Sequence, residues 1–384
     1  MSTSIDWQSD DEQVQKNQRR AYDDMRARCP IAHDDKLGYS VFSHADVMHI
    51  LNDPATFSNH VSDRHIAVPN GMDAPVHTAF RAINDKYFTA DRMATFHPIA
   101  KELIDSLANQ LSKGQPIDIM AGFAKTYAVK LQNAFMGWGD ETEAPLNAWI
   151  EKNRKATLSQ NRDETASVAL EFDSYIKAIL DDKRTKRPDD VTFELMNDVV
   201  MLPQGERVMS DEELISLIRN WTVGELSTMS SAVGIIFEFF IHHPDVLTHL
   251  KADPQDIDNA VLEILRLHDP LITNRRRTTC PVTLHGIDIP KDAKITINWQ
   301  SANRDPEAFH QADSFELRRN QANNLVYGYG IHVCPGKPLA QLELGLLVAC
   351  LAEQVSKIRP ASDDYFDHAI YPASGFSRLE VILH

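Results

Sequence analysis

Between Tyr327 and Ala340 the chain reads Tyr-Gly-Tyr-Gly-Ile-His-Val-Cys-Pro-Gly-Lys-Pro-Leu-Ala, and few folds accommodate such a run. Gly328 and Gly330 loosen the backbone just ahead of His332 and Cys334. Gly336 follows, and an apolar helix-forming run continues through Val348. Glycine accepts positive φ and lets a flat ligand come close to the main chain. Cys334 stands at the mouth of the coming helix, where unpaired amide N–H groups and the dipole favour negative charge. A thiolate held there is a good soft ligand for iron. Taken alone, a buried structural cysteine is the simpler reading; the surrounding glycines and His332 argue against it. Zinc is a poor fit, because His332 and Cys334 have no second Cys/His pair at ligand spacing.

A second constraint lies at 211–243. Ser210 and Glu213 form a capping box, and Asp211 and Glu212 suit the positive end of a helix dipole. Leu214, Ile215, Leu217, Ile218, Val223 and Leu226 recur at helical spacing, and His242-His243-Pro244 closes the helix. Its middle is Gly224-Glu225-Leu226-Ser227-Thr228. Mid-helix hydroxyls such as Ser227 and Thr228 commonly bond their own backbone.

Smaller signals flank these two. Asp73-Ala74-Pro75-Val76-His77 opens a helix on which His77 and Arg81, four apart, share a face. Glu263 and Arg266 are three apart on a helix running to Leu267 and can pair. An exposed pair of that kind contributes only about 0.2–0.5 kcal/mol. Arg275-Arg276-Arg277 is a cationic run that would ordinarily be solvated. Residues 38–42 and 282–297 alternate as short strands. Tyr371 to Phe376 reads as a turn between strands. A polar stretch near 157–165 reads as a loop.

With 384 residues, 43% hydrophobic and 24% charged, the chain has the make-up of a globular protein with a substantial core. A net charge of −16 argues against nucleic-acid and anionic-membrane surfaces. No uninterrupted apolar run reaches membrane-spanning length, since Glu238 breaks the nearest. Residues 1–6 lack a secretory pattern, and Cys29, Cys280, Cys334 and Cys350 are not spaced as a disulfide framework. These features point to a cytoplasmic protein.

The 327–340 stretch resembles the haem-binding loop of cytochromes P450, with Tyr327 in the aromatic slot. The resemblance runs from about residue 40 to the end. It implies one mainly α domain, residues 1–384, with small β-sheets in the cytochrome P450 fold. It also implies haem b (iron protoporphyrin IX) ligated by Cys334. His77, Arg81, Arg276 and His332 would hold the propionates, and Tyr327, Gly328 and Gly336 would shape the loop. Glu263 and Arg266 match the family's structural Glu-x-x-Arg. Thr228 matches the threonine that steers protons to oxygen. The pattern departs at Ser227 (an acid in the family), Glu225 (a glycine) and Gly224 (an alanine). Serine relays protons only through hydroxyls or water, so Glu225 is the alternative proton donor.

The implied reaction is monooxygenation, with O2 inserting one oxygen atom into a small organic substrate by hydroxylation or O-dealkylation. Asn220, Val223, Gly224, Leu271, Ile272 and Phe376 are expected around it, a mainly apolar set. The strings 219–225, 274–277 and Tyr371-Pro372 resemble haem domains of the self-sufficient bacterial P450s, which are fused to a reductase. This implies a ferredoxin or a flavin/iron–sulfur reductase as electron donor, approaching near Lys337 and Lys86. The alternatives are an H2O2-driven peroxygenase, a haem-thiolate enzyme that rearranges its substrate, and a non-catalytic haem-thiolate sensor or carrier.

Overall fold

The computed structural model describes residues 5–62, 67–159 and 161–384. Helices dominate, and the strands gather into four small sheets among the described residues. The largest has six strands in the order Ile5–Asp6, Ile31–Asp34, Gly38–Val41, Lys294–Asn298, Thr273–Thr278, Phe57–Ser58. In it Ile295 lies opposite Tyr39 on one side and Arg276 on the other. A second sheet joins Ile358–Pro360, Phe376–Leu383 and Phe366–His368, with Pro116–Asp118 paired to the middle strand. The remaining two are hairpins, at 199–208 and 282–289. The mainly α architecture with small sheets therefore follows the sequence expectation.

The helix Asp211–His242 is 32 residues long, about 48 Å. Its start is fixed reciprocally: the Ser210 N–H donates to Glu213 Oε2 at 2.8 Å, and the Glu213 N–H to Ser210 Oγ at 3.2 Å. From Ala232 to Phe237 every side of the helix is buried, because other helices and the C-terminal sheet surround it. This helix is long and apolar enough to cross a membrane, yet 61% of its most apolar window is buried within the fold. Packing explains its composition.

One expectation changes. The polar stretch at 157–165 is chiefly helix: Glu143–Ser159 ends and Arg162–Lys186 begins within it. Asn161 Oδ1 accepts from the Asp163 and Glu164 N–H groups and so caps the second helix. Gln160 lies outside the described residues. So do residues 63–66.

The Glu263–Arg266 pair is fully buried, with both side chains at 0% exposure. Arg266 donates from Nε and Nη2 to the two Glu263 oxygens at 2.8 and 2.9 Å. Its other N–H groups reach the carbonyls of Asn303, Ala312 and Ser314. Arg319, which sequence reading passed over, donates from Nε to Glu263 Oε1 at 2.7 Å. Burial would raise the Glu263 pKa, but the two guanidiniums outweigh it and hold the carboxyl below its ordinary range. This network pins the segment that leads into the Cys334 loop.

Candidate active site

The loop before Cys334 turns twice through positive φ, at Gly328 (+70°) and Gly330 (+72°). A Cβ on Gly330 would sit 3.0 Å from the Leu51 carbonyl oxygen, so glycine is required there on both counts. The Cys334 N–H donates to the Tyr327 carbonyl at 2.8 Å and closes the loop. The helix Lys337–Gln354 then starts, with a proline in its first turn. Cys334 carries accessible surface although protein packs densely around it, because its free face is the wall of an internal cavity. Burial pushes the thiol up, while the Gly336 and Lys337 N–H groups pull it down. A bound metal cation would deprotonate it outright.

The cavity measures about 670 Å³ and lies between the long helix and the Cys334 loop. From the loop it is lined by Tyr327, Gly328, His332, Cys334 and Gly336, and from the neighbouring strand by Arg276. The long helix contributes Asn220, Gly224, Glu225 and Thr228, and Leu271 adds an apolar wall. A Cβ placed on Gly224 would meet nothing within 4 Å, so this face of the helix is open. Thr228 Oγ1 donates back to the Gly224 carbonyl at 2.7 Å. The Asn220 amide is held by the Val68 carbonyl at 2.8 Å.

Six expected residues, His77 among them, do not reach the cavity as lining. Ser227 points off the lining face and donates to the Val223 carbonyl at 2.8 Å. Val223, one turn earlier on that face, packs against the helical core. Ile272 is buried among Tyr22, Met25, Cys29 and Phe42, because strand alternation turns it away from its neighbour Leu271. Phe376 packs on His268, Phe366 and His368, further along the long helix near Gly234. The turn that carries it does reach the cavity, through Tyr371 and Pro372. Arg81 donates to the Ile331 and Val333 carbonyls and pairs with Asp85, tying the Cys334 loop from behind.

His77 stands behind His332, with ring centroids 4.2 Å apart. Burial, with His77, Arg276 and Arg81 nearby, drives the His332 pKa down to about 3. Burial brings Arg276 to about 10. Arg276 is the buried member of its triplet; Arg277 pairs with Asp292 at 2.9 Å, and Arg275 is exposed at the cavity rim. Asp73 acts on Arg276 and His77 only through space, and among the described residues neither Arg276 nor His332 forms an ion pair. Lys86 is already matched by Asp198 at 2.8 Å, whereas exposed Lys337 lies over the Tyr327 ring.

The wall carries buried polar atoms with no hydrogen-bond partner: the Asn84 amide, Trp221 Nε1, Glu225 Oε1, Tyr327 Oη and His332 Nε2. Native interiors rarely leave such atoms unpaired, and here several converge on one space. Asn84 and Trp221 escaped sequence reading. Asn84 lies three residues after Arg81 on the same helix, so helical spacing alone pointed to it. Among the described residues no group of three or more His, Cys, Asp or Glu side chains is arranged for a metal. A metal in this cavity would rest on Cys334 as its protein ligand.

The sequence matches the family described as Cytochrome P450 over residues 100–354. The chain belongs to the cytochrome P450 family. Cytochrome P450 107B1 of Saccharopolyspora erythraea is 29% identical over 292 residues, covering 76% of this chain and 70% of that protein. Cyclomarin C epoxidase CymV of Salinispora arenicola is 26% identical, covering 90% of this chain and 91% of its own. A mutant of P450 EryK in complex with erythromycin B matches the fold with a TM-score of 0.87 over 97% of both chains, at 24% identity. Relatives named as hydroxylases and monooxygenases accompany these. This P450 is accordingly a monooxygenase, and the family implies haem. The residues present fit that group: one cavity-facing sulfur, a glycine-shaped approach, the buried Arg276 guanidinium and unpaired polar atoms on the wall.

Proposed function

We propose that this P450 binds b-type haem through Cys334 and inserts one oxygen atom of O2 into a small, mainly apolar organic molecule, by hydroxylation or O-dealkylation. The observation that carries this reading is the convergence of the Cys334 sulfur, the buried Arg276 guanidinium and unpartnered polar atoms on one cavity of about 670 Å³. Cys334 is the only cysteine in its lining, which favours a non-covalent porphyrin over one tethered by thioethers. Thiolate-ligated haem supplies O2 activation, the sulfur pushing electron density to favour O–O cleavage.

The chain's own residues divide the remaining work. Arg276 and His332 face the cavity and meet the haem's acidic edge, with His77 supporting His332 and Arg81 fixing the loop that carries Cys334. Tyr327, Gly328 and Gly336 give the macrocycle a close approach to the backbone. Thr228 holds a hydroxyl at the open face of the long helix and can pass a proton once its bond to Gly224 is exchanged. Asn220, Gly224 and Leu271 border the space left for substrate. The mix of aromatic and aliphatic walls with few polar groups suits a small aromatic or aliphatic molecule. Electrons come from a separate ferredoxin or flavin/iron–sulfur protein approaching the Cys334 side, where Lys337 offers an unmatched cation.

Substrate-induced spin-state change, screened across aromatic ethers, terpenes and fatty acids, identifies the substrate class. Labelled oxygen from O2 should then appear in the product when a surrogate reductase supplies electrons. Turnover with H2O2 alone, and none with O2 and a reductase, would replace this reading with a peroxygenase.

A further inference from the structure

Glu225 and Glu343 meet between the long helix and the helix that follows Cys334, and no cation accompanies them among the described residues. Glu343 is 0% exposed, and neither of its oxygens finds a conventional donor; Glu225 Oε1 is equally unpartnered. The two carboxyls are nonetheless within hydrogen-bonding reach of one another. Two carboxylates offer only acceptors, so a bond between them exists only when one carries a proton. Among the described residues, the groups acting on them supply no positive charge. Tyr127 donates its hydroxyl to the Glu343 carbonyl rather than to the carboxylate, and Tyr327 and Cys334 add negative character if anything. Burial pushes both acids up, Glu343 further because Glu225 lies beside it. Charge neutralisation by a proton is the one remedy such a site has.

Position gives that proton a use. Glu225 lines the cavity, three residues before Thr228 on the same helix, so the two side chains are neighbours on its open face. Ser227, at the position where the family has an acid, points elsewhere. We propose that Glu225 and Glu343 share a retained proton at the cavity wall, with Glu225 presenting it toward Thr228 and Glu343 acting as the positioning residue that keeps it there. In use, the O–H bond of Glu225 breaks, the proton passes to a cavity hydroxyl or water, a carboxylate remains, and a solvent proton restores the pair. This deepens the monooxygenase reading and rests on it for the proton's destination.

The test is infrared spectroscopy of the holoenzyme with isotope-labelled glutamate at neutral pH. A protonated-carboxyl C=O band is expected in the wild type, displaced in Glu225→Gln and in Glu343→Gln, and missing from the double variant. In both single variants the fraction of electrons recovered in product should fall about a hundredfold, the lower end of general-acid contributions, with peroxide released instead. Wild-type holoenzyme that shows the thiolate-type ferrous–CO band but no protonated-carboxyl band overturns the pair. So does a band that survives in the double variant. A wild type without the thiolate-type band defeats the haem reading instead, whatever the carboxyls do.

Discussion

Two buried acidic sites in this protein face opposite fates. Glu263 is enclosed by Arg266 and Arg319, with the remaining guanidinium N–H groups spent on backbone carbonyls. Glu343 is as deeply enclosed, Glu225 is half-buried at the cavity wall, and neither is paired with a cation among the described residues. The first site is complete within the chain and fixes the route of the segment 303–319. The second borders a cavity where Asn84, Trp221, Tyr327 and His332 also lack partners. Satisfied buried charge marks architecture here, and unsatisfied buried polarity marks the place where something else belongs.

That contrast can be broken most forcefully at Arg266. Arg266→Ala strands Glu263 with only Arg319, and should cost about 3–5 kcal/mol of stability, the usual loss when half of a buried pair is removed. A urea midpoint unchanged from wild type would put the network outside the architecture. Arg276→Ala should do the reverse: little change in apoprotein stability, because Arg276 forms no salt bridge among the described residues and Asp73 acts on it only through space, but haem affinity weaker by roughly ten- to a hundredfold, the worth of a charge-assisted hydrogen bond of about 1.5–3 kcal/mol. Haem transfer to apomyoglobin measures it.

The pH dependence of stability should also carry opposite signs. Glu263 has a depressed pKa, so its stabilisation is present above the ordinary carboxylate range and is lost as pH falls through its folded value. Glu225 and Glu343 have raised pKa values, so the folded form holds a proton the unfolded chain has released. Their contribution is present below the ordinary range and erodes as pH rises, by at most about 1.4 kcal/mol per pH unit for one proton. Glu343→Gln should therefore flatten the decline on the alkaline side, while Glu263→Gln flattens the decline on the acid side. Denaturation midpoints across pH distinguish the two.

The smallest effect belongs to the hydroxyl pair. Ser227→Ala should leave product coupling near wild type, since Ser227 is turned off the cavity, and should change stability by no more than about 0.5 kcal/mol. Thr228→Ala should lower coupling by several-fold, consistent with one hydrogen bond of about 0.5–1.5 kcal/mol. Equal losses in both would show that the helix turns differently in the working enzyme.

Much of this was legible in the chain. The Cys334 loop announces itself because positive φ, metal ligation and helix initiation each demand a particular residue within a few positions. The capping box at Ser210 and the proline after His243 delimit the long helix for equally local reasons. Side-chain direction within the turn after Tyr371 was not legible: Phe376, at the start of the following strand, goes to the core while Tyr371 and Pro372 in the turn reach the cavity. Ile272 and Val223 failed similarly, each adjacent to a residue that does line the wall. Arg319 and Glu343 were invisible for another reason. Their partners lie 56 and 118 residues away, and a lone charge in an apolar run reads as a solvent-facing position until tertiary packing shows otherwise.

The central claim is that the sulfur of residue 334 is the protein's one bond to iron. Carbon monoxide added to dithionite-reduced holoprotein reports on it directly. A Soret band displaced far to the red, and its disappearance in Cys334→Ala, is the predicted result. A band at the position given by histidine ligation, or one untouched by the substitution, would contradict the account.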